Sequence, residues 1–144
     1  DAVWEKISPN LHRALAGESL EFEAELPYKD GGSRWAHVSY LPDIDACEPW
    51  DHSLEEVLAT VDIAWIDGTF WADGELGRDM TEIPHPRMTA TMARLAGLPA
   101  GERDKVHFIH LNHTNPALDP SSPEAAMVRV AGFHVATEAT RFEL

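Results

Sequence analysis

Residues 63–70 read Ile63-Ala64-Trp65-Ile66-Asp67-Gly68-Thr69-Phe70. Four apolar side chains in a row are too short for a buried helix and suit a strand covered on both faces. Asp67-Gly68 then ends the strand in a tight turn, with Gly68 expected to supply an unusual backbone angle. Upstream, Ser53 caps a helix that runs to Val61, and Glu56 stands three residues on, at the capping-box spacing. Downstream, Pro84 and Pro86 bracket His85 ahead of a helix over about 87–96, whose Met88, Met92 and Leu95 share one face and which Gly97 closes. Residues 106–111 read as the next strand, and Ser122-Pro123-Glu124 opens a helix to about residue 131 that Gly132 caps. Residues 133–136 and 141–144 supply two more strands. Strands and helices thus alternate over the last hundred residues, which predicts a layered α/β fold with a partly parallel sheet.

The N-terminal texture is different. Val3, Ile7, Leu11 and Leu15 keep a helical period that Ser8-Pro9 interrupts, leaving a short helix from about Asn10 with Gly17 behind it. Residues 20–28, with Phe22, Ala24 and Leu26, and residues 34–41, with Trp35, Val38 and Tyr40, read as strands. Lys29-Asp30-Gly31-Gly32-Ser33 joins them as a hairpin turn. The second hairpin strand is expected to lie in the same sheet as 63–66 and 106–111, because two separate small cores would each bury too little surface.

The 144 residues fit a single domain, and 44% hydrophobic with 25% charged side chains is a globular balance. Eleven basic against 25 acidic residues give a net charge of −14, and residues 43–80 hold eleven of the acids and one base. Such a chain repels phosphate backbones and anionic lipid, so neither nucleic acid nor a membrane is expected as a partner. Asp43, Asp45, Asp51, Asp67, Asp73 and Asp79 lack the spacing of a calcium loop, and a solvated acidic face is their ordinary role. Cys47, the single cysteine, permits neither an internal disulfide nor a cysteine zinc cluster. No apolar run reaches the roughly 18–20 residues of a membrane span, and no basic-then-apolar leader opens the chain, which begins at Asp1. A cytoplasmic location is the expectation.

Chemistry-bearing residues collect where the elements end. Asp43 and Asp45 follow the second hairpin strand, His85 stands at a helix start, and His110 and His113 flank the end of the strand at 106–111. The carboxyl ends of strands in an α/β sheet converge on one edge, where ligands bind, and Asp and His are natural zinc donors there. Taken singly, each strand-end Asp reads as a turn or helix cap. Asn112, Thr114, Asn115 and Pro116 read as a loop locked by side-chain hydrogen bonds.

Four ordered stretches together carry a resemblance: Tyr40-Leu41-Pro42-Asp43-Ile44-Asp45, Ile66-Asp67-Gly68-Thr69-Phe70-Trp71, Ile83-Pro84-His85, and Ile109-His110-Leu111-Asn112-His113-Thr114-Asn115-Pro116. From about Val38 to Leu144 the chain resembles the C-terminal half of metallo-β-lactamase-fold hydrolases, in the branch of pyrroloquinoline quinone biosynthesis protein B. The resemblance implies a metal-dependent hydrolase acting on a small molecule, with zinc or another divalent metal. It implies Asp43 as a bridging carboxylate, His110 as a metal ligand, His85 as the acid near the leaving group and Asp67 as the carboxylate that orients it; Asp45 and His113 stand as reserve ligands. The His-x-His-x-Asp-His string with which that family's first half supplies most ligands does not occur in these 144 residues. Zinc binding by this chain is accordingly expected to be weak, and hydrolysis by it poor or absent.

Residues 9–41 resemble a different family. Leu11-His12-Arg13-Ala14-Leu15-Ala16-Gly17-Glu18, Phe22-Glu23 and Pro27-Tyr28-Lys29-Asp30-Gly31-Gly32-Ser33-Arg34-Trp35 look like the last helix and two strands of a PAS sensor domain. That implies a join of two incomplete folds through a shared strand, and it raises the alternative of a non-catalytic binding or association module. A half-fold sheet with an uncovered edge predicts a homo-oligomer.

Overall fold

The structure, a computed structural model, describes residue 13 and residues 20–27, 33–41 and 53–137. Five strands, β1 (Leu20–Pro27), β2 (Ser33–Leu41), β3 (Ile63–Asp67), β4 (Val106–Ile109) and β5 (His134–Val135), form one sheet in the order β1-β2-β3-β4-β5. The hairpin pair β1–β2 is antiparallel and runs from Leu20 opposite Tyr40 to Pro27 opposite Ser33. The other three pairings are parallel, with Val38 opposite Ile63, Ala64 opposite Val106 and His107 opposite His134. The hairpin therefore joins the main sheet through β2, as expected.

Four α-helices within residues 53–137, α1 (Leu54–Thr60), α2 (Met88–Leu95), α3 (Ala100–Asp104) and α4 (Pro123–Val130), and a 3-10 turn at Pro116–Leu118 accompany the sheet. Ser53 and Glu56 form the expected capping box on α1, and Ser122 caps α4, with Pro123 in its first turn. The short α3 between α2 and β4 has no counterpart in the sequence pattern, since none of its five residues is buried. Each step from β2 to β5 advances one strand in the same direction. Right-handed crossovers then put every connecting helix on the same face. The packing agrees, with Leu54 and Leu58 of α1, Met88, Met92 and Leu95 of α2, and Val128 of α4 in one cluster with Ala64, Ile66, Val106 and Phe108 of the strands. Fully burying a Leu, Ile or Phe there contributes roughly 1.5–3 kcal/mol each. On the opposite side of the pleat Ala24, Ala36, Val38 and Ile63 form a second buried cluster, against which Phe22 and Trp65 pack.

Three local expectations need correction. Trp35, grouped with Val38 as apolar, lies on the other side of the pleat and is 68% exposed. The strand at 106–111 ends at Ile109, because His110 takes φ 60°, which extended backbone cannot continue. Gly132 takes the left-handed conformation behind α4 (φ 85°), whereas Gly97 has no positive φ and the turn behind α2 closes through Ala96 N–H donating to Ala93 O. The helix expected from about Asn10 is described only at Arg13, which is helical. The hairpin turn and the strand expected at 141–144 lie outside the described residues, as do Asp43 and Asp45. No helix among the described residues is long and apolar enough to cross a membrane.

Candidate metal and acid–base site

β3 ends in Asp67, whose side chain is fully buried. Its Oδ1 accepts hydrogen bonds from Thr69 N at 2.7 Å and from Thr69 Oγ1 at 2.6 Å, an Asx-type turn that Asp and Thr form locally. The chain repeats this device at Asp79 with Thr81 and at Asp119 with Ser121, where the same hydrogen bonds hold exposed carboxylates below their usual pKa. What sets Asp67 apart is its second oxygen. Oδ2 stands 2.7 Å from His85 Nδ1 and 3.9 Å from His110 Nδ1.

The hydrogen-bond network assigns the imidazole protons. A carboxylate only accepts, so His85 Nδ1 carries the hydrogen and donates it to Asp67. The Thr69 hydroxyl hydrogen is engaged by Asp67 Oδ1, so Thr69 Oγ1 is the acceptor for His110 Nδ1 at 3.2 Å. In the singly protonated form of each ring Nε2 is then the lone-pair nitrogen. The rings meet edge to face with centroids 5.6 Å apart, and Phe70 packs on the other side of His85 at 6.0 Å.

Both histidines sit in unusual backbone. His85 has φ 98° and His110 φ 60°, and they are the two non-glycine residues with positive φ among those described. His85 also precedes Pro86, a position that favours extended backbone at negative φ. Such conformations are unfavourable by roughly 1–3 kcal/mol each and persist where the surroundings over-determine them.

The turn at Gly68 is crowded. A Cβ there would stand 2.9 Å from Phe108 Cβ and 3.2 Å from Ile109 O, while Gly68 N donates to Ile109 O at 2.8 Å. Gly68 has no positive φ, so close approach of the two strand ends, not backbone angle, is what calls for glycine. Asn115, buried as the locked-loop reading expects, donates from Nδ2 to Gly68 O at 2.8 Å and accepts from Ala117 N at 2.9 Å. Glu75 bridges loops, accepting from Trp71 N at 2.6 Å and from Thr114 Oγ1, which also accepts from Asn112 Nδ2.

Asp67, His85 and His110 form a group whose three potential ligand atoms all lie within 4.8 Å of one another. Imidazole and carboxylate are donors that zinc accepts; Asp67 and His85 are engaged with each other, so His110, with Nε2 as its lone-pair nitrogen, is the member of the group that fits a divalent ion. His113 is exposed and is not part of this group. The sequence singled out Asp67, His85 and His110 but not Thr69, whose hydroxyl links them, nor Arg87. An Asp-x-Thr turn was visible for the first. Nothing local marked the second.

No protein-family model matches the chain. Over 143 residues it is 29% identical to coenzyme PQQ synthesis protein B of Cupriavidus necator, an alignment covering 95% of this chain and 44% of that protein. It is 34% identical over 137 residues to the protein of that name from Klebsiella pneumoniae, covering 89% and 41%. Its fold superposes on Zn2+-bound PqqB from Methylobacterium extorquens with a TM-score of 0.58, covering 88% of this chain and 50% of that one at 21% identity. A 95% alignment takes in most of the first forty-one residues, and nothing in the comparisons supports a PAS relation or a join of two folds there. The chain thus has the mixed α/β fold of a metallo-β-lactamase-type protein, its homologues are coenzyme PQQ synthesis B proteins, and it spans less than half the length of those relatives.

Proposed function

We propose that these residues are the C-terminal part of a metal-dependent hydrolytic centre acting on a small molecule in the synthesis of coenzyme PQQ. The observation that carries this reading is the buried Asp67 carboxylate 2.7 Å from His85 Nδ1, with His110 beside both. In this reading His110 is a metal ligand, Asp43 a second, and Asp45 and His113 reserves. A divalent ion bound there would supply Lewis acidity and a nucleophilic water near neutral pH. The chain's own residues supply the rest. Asp67 fixes the His85 tautomer and leaves Nε2 as the nitrogen that can hold a proton for a leaving group. Thr69 Oγ1 does the same for His110, so that its Nε2 lone pair serves as the donor atom, the outer-sphere arrangement in which ligating histidines are usually held. The family resemblance assigns most remaining ligands to the other half of the fold, which accords with weak binding by these residues alone. Zinc calorimetry tests the assignment. Binding should fall at least tenfold in His110→Ala, and unchanged binding in Asp43→Ala/His110→Ala would refute it.

A further inference from the structure

We propose that Arg87 is a positioning residue that holds His85 in its productive backbone conformation, an inference that rests on His85 acting through Asp67. Arg87 is the residue before α2, yet its side chain makes no capping bond to that helix. The first donors of α2 are met elsewhere, Met88 N donating to Phe70 O at 2.9 Å and Thr89 N to Trp71 O at 3.1 Å. A cation at a helix N-terminus is also the wrong sign for the helix dipole. Helix stability therefore does not account for an arginine here.

Its hydrogen bonds do. The guanidinium donates from Nη1 to His85 O at 2.6 Å, from Nη2 to Met80 O at 2.6 Å and from Nε to Asp73 Oδ1 at 2.8 Å. Its central carbon lies 5.4 Å from the centroid of Phe70, whose ring packs against His85. One planar group, its side chain 12% exposed, thus fixes the His85 carbonyl and two points, Asp73 and Met80, within the segment that leads from β3 to His85. Holding that carbonyl fixes the peptide plane between His85 and Pro86, and so the ψ of His85, next to its unfavourable φ of 98°. Lysine has the charge but not the fork, so it cannot hold three acceptors in one plane.

The test reads the His85 ring without metal, in protein carrying 15N-labelled histidine. Native protein should show a downfield, slowly exchanging Nδ1–H resonance that vanishes in His85→Gln. In Arg87→Ala and Arg87→Lys that resonance should broaden or exchange at least tenfold faster, while the amide shifts of α4 and β5 stay native. Ethylguanidine should restore it in Arg87→Ala, which loss of general stability would not allow. Asp73→Asn, which weakens one of the three bonds, should give an intermediate rate and covers the case in which Arg87→Ala fails to fold. An undisturbed resonance in Arg87→Lys, or in a folded Arg87→Ala, would overturn the proposal. Absence of zinc binding with this Arg87 dependence intact would instead refute the metal assignment and leave the positioning role standing.

Discussion

Acidification should loosen the β4–β5 edge of the sheet through one buried imidazole. His107 on β4 is 6% exposed and stacks on His134 of β5, ring centroids 4.7 Å apart and planes 18° from parallel. His134 Nε2 in turn lies 2.8 Å from Asp104 Oδ1. Burial, and after it the proximity of His134, lower the His107 pKa from 6.5 to about 4, against the opposing pull of Asp104. A base with a depressed folded pKa takes up its proton first in the unfolded chain. Its contribution is therefore complete above the unfolded value and is lost as pH falls from about 6.5 toward about 4. At about 1.4 kcal/mol per pKa unit, the site removes about 2 kcal/mol of stability between pH 7 and pH 5, and about 3 kcal/mol by pH 4. Urea unfolding across this range, for the native chain and for His107→Leu, isolates the site because ionisable groups away from His107, His134 and Asp104 cancel in the difference. The difference should move in favour of the leucine variant by about 2 kcal/mol between pH 7 and pH 5. Parallel curves, or an NMR titration of His107 centred near its ordinary value, would refute the reasoning.

Gly68→Ala should lower stability by about 1–3 kcal/mol, read as a drop in thermal midpoint, because its Cβ would meet Phe108 Cβ, which is tied to the backbone and has little room to yield. Asn115→Ala should be unfavourable by about 1–3 kcal/mol in urea unfolding, since it strips partners from Gly68 O and Ala117 N in a buried site. Ser53→Ala removes the acceptor of Glu56 N and should reduce stability by about 1 kcal/mol, with the loss confined to faster amide exchange in α1.

Local signals were readable wherever the physics is local. Ser53 with Glu56 and Ser122 with Pro123 announce helix starts because the capping partners lie within a turn, and 63–66 announces a strand because it is apolar on both faces. Strand-end placement and the family motifs brought Asp67, His85 and His110 forward. The features that bind them together depend on segments far apart in sequence. Gly68 is crowded by Phe108 and Ile109, forty residues on, and its carbonyl is held by Asn115, 47 residues on. Likewise, the stacking of His107 on His134 follows from the β4–β5 register, which no periodicity in either two-to-four-residue strand could reveal.

The sheet order also has a consequence in time. Among the described strands, every neighbour in space is the next strand along the chain, so the sheet can be laid down in the order of synthesis. No strand has to be inserted between two already paired, and each new strand closes a loop only against the edge just formed. Loop closure grows costly only slowly with length, so even the connection from β3 to β4 adds little to this stepwise route. The acid–base pair is assembled midway. Asp67 is in place once β3 pairs, but the strand that crowds Gly68 and leads into His110 is β4, so the complete site forms only as the second parallel pairing is made.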